Sequence, residues 1–213
     1  MRRIVHADAL TWLAENPAEE GMSVVTSLPD VSELALDLDA WRAWFQYAVR
    51  RILRWIPESS VAIFYQSDIR HRGEWIDKGY LVLRAADDER ASIVWHKIVC
   101  RKPPGSIALG RPSYSHMICV SRAARPTIRR PGPDVLADAG ASSWSKGMGE
   151  AACRVACRFL VEEIGARTLV DPFCGRGAVL AVAETFGLAT IGVDISAKRC
   201  RAARSAKLES LKR

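Results

Sequence analysis

The stretch Thr168-Leu-Val-Asp-Pro-Phe-Cys-Gly-Arg-Gly-Ala-Val-Leu180, followed by Ala189-Thr-Ile-Gly-Val-Asp194, decides the fold of this chain. A short apolar run ends in Asp171, the pair Gly175 and Gly177 opens a stretch with helical periodicity, and a second apolar run ends in Asp194. This order predicts a strand, a glycine loop, a helix and a second strand, with a carboxylate closing each strand.

Such a unit suits the binding of a nucleoside. Glycines let a ligand approach the backbone closely and make the tight turn into the helix. A carboxylate that closes the second strand can accept hydrogen bonds from both ribose hydroxyls. The alternative is an ordinary βαβ unit whose glycines only form a turn. The dinucleotide pattern does not match, because Leu180 stands where its third glycine is required.

The run Asp171-Pro-Phe-Cys-Gly-Arg-Gly177 resembles motif I of the class I S-adenosylmethionine-dependent methyltransferases. It is most similar to the version found in the permuted amino-methyltransferases, which make N6-methyladenine and N4-methylcytosine. The second strand end resembles their motif II. The resemblance implies S-adenosyl-L-methionine as cofactor, bound by Asp171, Pro172, Phe173, Cys174, Gly175, Gly177, Asp194 and Ile195.

Two further segments resemble cofactor-binding parts of the same family. Asp8 and Ala9 follow the first predicted strand, and by the resemblance Asp8 accepts from the adenine amino group; considered alone, Asp8 is a helix N-cap. Ser145 and Lys146 correspond to motif X, although Gly147 replaces the usual proline. The resemblance therefore spans nearly the whole chain and implies a circularly permuted order of motifs.

Ser27-Leu28-Pro29-Asp30 takes the place of the family's catalytic loop. In the family, the first side chain and the second carbonyl accept from the target amino group, and a closing aromatic stacks on the flipped base. Ser27 and the carbonyl of Leu28 supply both acceptors here, but Asp30 replaces the aromatic. Asp30 either reads a donor edge of guanine or cytosine, or indicates a protein or small-molecule acceptor, or indicates a non-catalytic partner protein. A plain loop residue or N-cap is an equal alternative for Asp30.

Strand and helix patterns alternate along the chain. They predict an α/β fold with a Rossmann-like, doubly wound, mostly parallel seven-stranded sheet in a single domain over residues 1–213. The predicted strand ends place Asp8, Ser27, Asp171 and Asp194 at one edge, where ligands of open α/β sheets bind. The other predicted elements are helices over 39–56, 70–78 and 148–164, an extended piece over 80–84, strands over 93–100 and 115–121, and a loop or linker over 122–143.

The net charge of +7 is unevenly distributed. No Asp or Glu occurs from Ala91 to Pro133, which favours a polyanionic partner over the alternative of a solvated basic face. We expect nucleic-acid phosphates to contact the basic residues of this interval, which are Lys97, Arg101, Lys102, Arg111, Arg122, Arg125, Arg129 and Arg130.

The choice between RNA and DNA depends on the interval 122–143. It is too short for a separate target-recognition domain, and no helix or ribbon for reading the major groove is evident. Recognition of a structured RNA by shape asks less of a small domain. We therefore expect methylation of transfer or ribosomal RNA at an exocyclic or ring nitrogen. The alternatives are a DNA N6-adenine or N4-cytosine methyltransferase, and a cofactor-binding but non-catalytic nucleic-acid partner.

Size and composition limit the remaining possibilities. With 213 residues, 49% hydrophobic and 26% charged, the chain has the composition of a soluble globular domain. No apolar run approaches the length of a membrane helix, and no secretory signal is evident. The six cysteines form no Cys-x-x-Cys pair, so we expect reduced thiols, a cytoplasmic location and no metal site. A homodimer or an activating subunit stays open.

Overall fold

Strands and helices alternate over most of residues 1–142 and 147–208, the part of the chain that the computed structural model describes. The strands are β1 (Arg2–His6), β2 (Met22–Thr26), β3 (Ala62–Gln66), β4 (Ile69–His71), β5 (Glu74–Ile76), β6 (Ser92–Cys100), β7 (Tyr114–Ser121), β8 (Val135–Leu136), β9 (Thr168–Asp171) and β10 (Ala189–Asp194). The helices are α1 (Ala9–Glu15), α2 (Leu38–Trp55), α3 (Lys78–Asp88), α4 (Glu150–Phe159), α5 (Ala178–Thr185) and α6 (Ala197–Ser205). A 3-10 turn, Val31–Glu33, precedes α2, and a π-helical turn, Leu160–Ile164, extends α4.

One sheet of the described residues has the strand order β1-β10-β9-β2-β3-β7-β6-β8. Only β7 runs antiparallel to its neighbours. Counted from β9, the five parallel strands at one side read 3-2-1-4-5, the order of a doubly wound fold. The order reverses between β9 and β2, and ligands of such folds bind at that switch point. The predicted doubly wound, mostly parallel α/β sheet is confirmed.

The sheet has eight strands where the sequence predicts seven. The extra strand is β8, which pairs in parallel with β6 inside the predicted linker 122–143. Lys97 on β6 fixes this segment, because its Nζ donates to the carbonyls of Gly132 and Pro133 at 3.1 and 2.9 Å. The linker therefore runs along the edge of the sheet as part of it.

Two apolar layers enclose the sheet. Helices α1, α2 and α3 pack on one face, and α4, α5 and α6 pack on the other. Consecutive strand residues point to opposite layers, so Val24 joins the α2 layer and Val25 the α4 layer. Both are fully buried, which explains why the central strands are continuous apolar runs without alternation.

The aromatic helix α2 belongs mainly to the core. Asp37 caps its first turn by accepting from the backbone N–H of Ala40 at 2.8 Å. Trp41 and Phe45 are fully buried with tilted rings 5.3 Å apart, whereas Tyr47 is 47% exposed. Trp41 and Phe45 therefore pack in the core.

The predicted helix over 70–78 and extended piece over 80–84 are wrong. Strands β4 and β5 form a hairpin with the two-residue loop Arg72-Gly73, and both loop residues have positive φ, 49° and 88°. That conformation matches the tight turn that suits the twist of a hairpin, and glycine adopts it readily. Asp77 then caps α3 by accepting from the N–H of Tyr80 at 2.8 Å, so the helix begins where an extended piece was expected.

The sequence predicts no membrane helix and reduced cysteines. In the ranges 1–142 and 147–208, no helix combines the length and the apolar character that a membrane crossing requires. All six cysteines are buried and carry free thiols.

Candidate cofactor and acceptor site

A cavity of about 230 Å³ lies at the carboxyl ends of the parallel strands, beside the switch point. It brings together most of the predicted site residues. The cofactor candidates that line it are Asp8, Ala9, Asp171, Pro172, Phe173, Cys174, Gly175, Asp194 and Ile195, and the loop Ser27, Leu28, Pro29 and Asp30 completes the wall. Gly177 lies just outside, as the residue that precedes α5.

The glycine loop depends on backbone conformations that favour glycine. Gly175 and Gly177 have φ values of 54° and 77°. A Cβ on Gly177 would lie 3.1 Å from Cα and Cβ of Ala203, so α6 packs directly on this turn. The N–H of Cys174 donates to the carbonyl of Val193 at 2.9 Å and anchors the loop to β10.

Backbone N–H groups fix the carboxylate of Asp194. Oδ2 accepts from Gly175 at 3.0 Å and Oδ1 accepts from Ser196 at 2.8 Å. Each carboxylate oxygen has a second lone pair, so both oxygens can still accept from a diol. Ile195, which follows, is 69% exposed on the cavity wall, and its carbonyl is 2.9 Å from Nε2 of His6.

Asp171 is a buried carboxylate with a raised pKa. Burial raises its pKa to about 7, and the nearby charge of Asp194 adds to the effect. The hydroxyl of Thr26 and the N–H of Phe173 oppose this rise by donating to Oδ1 at 2.6 and 3.1 Å. A cationic ligand in the cavity would stabilise the ionised form, because opposite charge lowers a carboxyl pKa.

Asp8 has the N-cap position that its sequence context predicts. Its Oδ1 accepts from both the N–H and the hydroxyl of Thr11, at 2.9 and 3.1 Å. The carboxylate also lines the cavity, so capping of α1 does not exclude contact with a ligand. Ala9, the first residue of α1, is buried.

Ser145 and Lys146 lie outside the described residues. Gly147 and Met148, which follow them directly, line the cavity. The chain just before α4 therefore reaches the same site as the glycine loop.

The loop Ser27–Asp30 is fixed on both sides. The indole N–H of Trp41 donates to the carbonyl of Pro29 at 3.2 Å, and Leu28 is 2% exposed in the α2 layer. Asp30 precedes the 3-10 turn, as its N-cap, and its Oδ1 is 2.6 Å from Nζ of Lys78. The lysine side chain is only 3% exposed, and burial lowers its pKa while Asp30 opposes that shift.

Several wall residues were missed by the sequence interpretation. Lys78 and Asp68 follow β3 and are joined where the N–H of Lys78 donates to Asp68 Oδ1 at 2.8 Å. Arg199 on α6 reaches across to Glu33 at 3.0 Å, with Asp194 3.9 Å from its other terminal nitrogen. No local pattern marks these residues, since each belongs to the site through a contact between distant elements.

His116 on β7 lies behind the cavity wall. Its Nε2 is 3.2 Å from Asp68 Oδ2, and its Nδ1 is 3.0 Å from Nε2 of His96. Asp68, Asp77 and His116 are, within the described ranges, a set close enough to share a cation. Their atoms already pair with one another or cap α3, so the absence of a metal stays our prediction.

The predicted phosphate contacts fall into separate regions. Arg101 and Arg111 line the cavity, and Lys102 is exposed beside them. Lys97 is buried and its Nζ donates to the edge segment, as described above, so its contact with phosphate stays a prediction.

The other four arginines lie at the opposite end of the sheet, where the parallel strands begin. Arg122 follows the end of antiparallel β7 and donates to the carbonyl of Ile56 at 2.7 Å, before the start of β3. Arg125 donates to the hydroxyl of Ser92 at 2.5 Å, where β6 begins. The N–H groups of Arg129 and Arg130 donate to Glu163, in the turn that ends α4. The two predicted groups of phosphate contacts, over 101–111 and 122–130, therefore lie at opposite ends of the sheet, and their contact with phosphates stays a prediction.

The sequence matches no protein-family model and has no significant match among curated proteins. Solved structures, in contrast, match along nearly the whole chain. A protein of Thermus thermophilus described as a DNA modification methylase, in complex with S-adenosyl-L-methionine, superposes with a TM-score of 0.75 at 15% identity, covering 99% of this chain and 96% of that one. The chain therefore has a methyltransferase fold.

Two more solved structures are similar. PvuII DNA methyltransferase, described as cytosine-N4-specific, has a TM-score of 0.73 at 13% identity, with 99% of this chain and 89% of that chain covered. The M1.HpyAVI–SAM complex has a TM-score of 0.65 at 12% identity, with 96% and 98% covered. At these identities the likeness concerns the fold.

Proposed function

We propose that this chain is an S-adenosyl-L-methionine-dependent methyltransferase that acts on an amino group of a DNA base. The observation that carries the proposal is the cavity at the switch point, where the glycine loop, Asp171 and Asp194 face the loop Ser27–Asp30. A nucleoside-binding half and an acceptor-binding half are thus adjacent, as transfer between two substrates requires.

The residues present fit S-adenosyl-L-methionine. Asp194, held by two N–H groups, suits the ribose diol, and exposed Ile195 offers an apolar surface to the adenine. Asp8, which lines the cavity, is proposed to accept from the adenine amino group, and buried Asp171 suits the positively charged methionine end. Ser145 and Lys146, before α4, are proposed for that end as well. These roles imply a circularly permuted order of motifs. Asp8 and the loop Ser27–Asp30, here called the acceptor loop, precede the glycine loop around Gly175 and Gly177 in the chain.

The acceptor half orients an amino group. The bound cofactor supplies an electrophilic methyl group on a sulfonium. Ser27 and the carbonyl of Leu28 accept the two N–H groups of the base, so that the nitrogen lone pair faces the methyl. With the cofactor bound, the methyl group would pass from the sulfonium sulfur, which is left as a neutral thioether, to this nitrogen, and the nitrogen would release one proton to water. Asp30 acts as a positioning residue through its pair with Lys78, instead of reading the base.

Two observations favour DNA over the RNA that the sequence suggested. The similar structures named above include proteins described as DNA methylases. The preference for RNA rested on the lack of a ribbon, and the β4–β5 hairpin supplies one directly after β3, with Ile69 on the cavity wall. Arg70, Arg72 and Trp75 are exposed on it, and a two-stranded ribbon fits the major groove. RNA methylation and a non-catalytic partner role are the alternatives.

Methyl transfer from labelled S-adenosyl-L-methionine to duplex DNA and to total RNA, followed by nucleoside mass spectrometry, tests the proposal. We expect label in methyladenine or methylcytosine of DNA. Asp194→Ala should abolish it, whereas Asp87→Ala, which removes an exposed carboxylate on α3, should not. Label in RNA alone would restore the original preference. Cofactor binding without any label would favour the non-catalytic role.

A further inference from the structure

The loop from Arg101 to Pro112, here called the rim loop, rises from the mouth of the cavity. Its stem is closed where the N–H groups of Arg101 and Lys102 both donate to the carbonyl of Ser113, at 2.6 and 3.2 Å. The Arg101 guanidinium also donates to the hydroxyl of Ser67 at 3.1 Å, which ties the stem to the end of β3. The loop therefore has a fixed base next to the acceptor half of the site.

The tip of the rim loop is apolar and fully presented to solvent. Ile107 is 87% exposed and Leu109 is 93% exposed. Gly105 and Gly110 flank this tip with φ values of 83° and 84°, and a Cβ on either would meet nothing within 4 Å. Exposed aliphatic side chains gain stability only when something covers them, so the tip is suited to contact a partner.

The charge around the tip favours a polyanion as that partner. Arg101, Lys102 and Arg111 stand at the two ends of the loop, and no acidic residue occurs between Ala91 and Pro133. Duplex DNA has stacked bases between two phosphate backbones. The apolar tip of the rim loop can contact the bases while its basic ends contact the phosphates.

We propose that Ile107 and Leu109 form a wedge that enters duplex DNA beside the target base pair and fills the space that the flipped base leaves. This inference rests on the proposed function, because a base must leave the stack before Ser27 and Leu28 can reach its amino group. Apolar side chains that insert between base steps stabilise such distorted duplexes. Arg101 and Arg111, which line the cavity, then face the phosphates around the extruded nucleotide.

The test compares the wild-type protein with an Ile107→Ser/Leu109→Ser variant on one DNA sequence in two forms, a fully paired duplex and the single strand. Ile93→Ser is the control, because Ile93 is 49% exposed on β6 at the opposite end of the sheet. We expect the variant to lose about tenfold or more of its methylation rate on the paired target and little on the single strand, where no base has to be unpaired. Equal rates on the duplex, or equal losses on both forms, would overturn the wedge.

A fluorescent adenine analogue, 2-aminopurine, at the target position gives a readout that needs no turnover. Binding of the wild-type protein should raise its fluorescence as the base unstacks, and the wedge variant should bind without that rise. A rise without any methyl transfer would refute the proposed function and leave the wedge standing. Methyl transfer with no difference in fluorescence between the two proteins would refute the wedge alone.

Discussion

Nζ of Lys78 lies 2.6 Å from Oδ1 of Asp30, and this pair joins the start of α3 to the loop Ser27–Asp30, the proposed acceptor loop. The lysine side chain is 3% exposed and the aspartate side chain 19% exposed, so both charges are largely removed from water. Nζ also lies 5.6 Å from the ring centre of Phe45 on α2. The position of the acceptor loop therefore depends on a charge pair that bridges two elements.

Removing one partner of this pair should cost more than removing both. Lys78→Met leaves the Asp30 carboxylate without its buried cation, and we expect the free energy of unfolding to fall by about 3–5 kcal/mol. Adding Asp30→Asn should restore part of that loss, because no uncompensated charge is left. Urea unfolding of the two single variants and the double variant measures the coupling. Additive losses would show that the two residues act independently.

The substitution Asp171→Asn should stabilise the protein and weaken its binding of the cofactor. Both hydrogen bonds to this residue go to Oδ1, so the amide oxygen of asparagine can accept them in place of the carboxylate. Removal of the buried charge should raise the free energy of unfolding at pH 8, with the burial cost on the order of 4 kcal/mol. Binding of S-adenosyl-L-methionine should weaken about tenfold or more, as measured by calorimetry, because its positive end loses an opposite charge. Asp87→Asn, at an exposed position, should change neither property.

The same carboxyl predicts the direction of a pH effect in the wild-type protein. Its pKa is about 7 in the folded chain and near the ordinary value of 3.8 when unfolded, so the folded state binds the proton more tightly. This stabilisation is complete below pH 3.8 and is lost as the pH rises through about 7. Unfolding measured from pH 5 to pH 8 should therefore show a decline in the wild type that is absent from Asp171→Asn. Parallel curves would contradict the raised pKa.

The convergence of Asp171, the glycine turn and Asp194 on one cavity was predictable, because these features are close together in the sequence. The carboxylate, the glycine turn and the helix start fall within Asp171–Ala178, and strand ends in an open sheet converge by topology. On the acceptor side of the cavity, the sequence predicted only the loop Ser27–Asp30. Lys78 reaches Asp30 from a helix 48 positions later, and a contact of that kind leaves no periodic signal. The hairpin was missed because Arg72-Gly73 was read as part of an amphipathic helix.

Gly177→Ala should show how much of the glycine loop depends on close packing. The substitution places a Cβ at φ 77° and 3.1 Å from Ala203, so it combines backbone strain with a contact against α6. Gly187→Ala is the matched control, because Gly187 has φ 78° and open space around its Cβ position. We expect Gly187→Ala to cost about 1 kcal/mol of stability and Gly177→Ala more. Measurements of thermal unfolding and of cofactor binding test this prediction. Equal losses of stability in both variants would show that α6 moves away from the added Cβ at little cost.

The two groups of basic residues should differ in their contribution to DNA binding. Lys102 and Arg111 are exposed at the mouth of the cavity, whereas Arg129 and Arg130 lie against Glu163 at the opposite end of the sheet. Each phosphate contact that is lost lowers the slope of log affinity against log salt by about 0.9. Lys102→Ala/Arg111→Ala should thus weaken duplex binding and reduce the slope by about 2. Arg129→Ala/Arg130→Ala removes the same charge and should leave the slope unchanged. A reduced slope in the second variant would mean that phosphates also contact Arg129 and Arg130, as the sequence predicts.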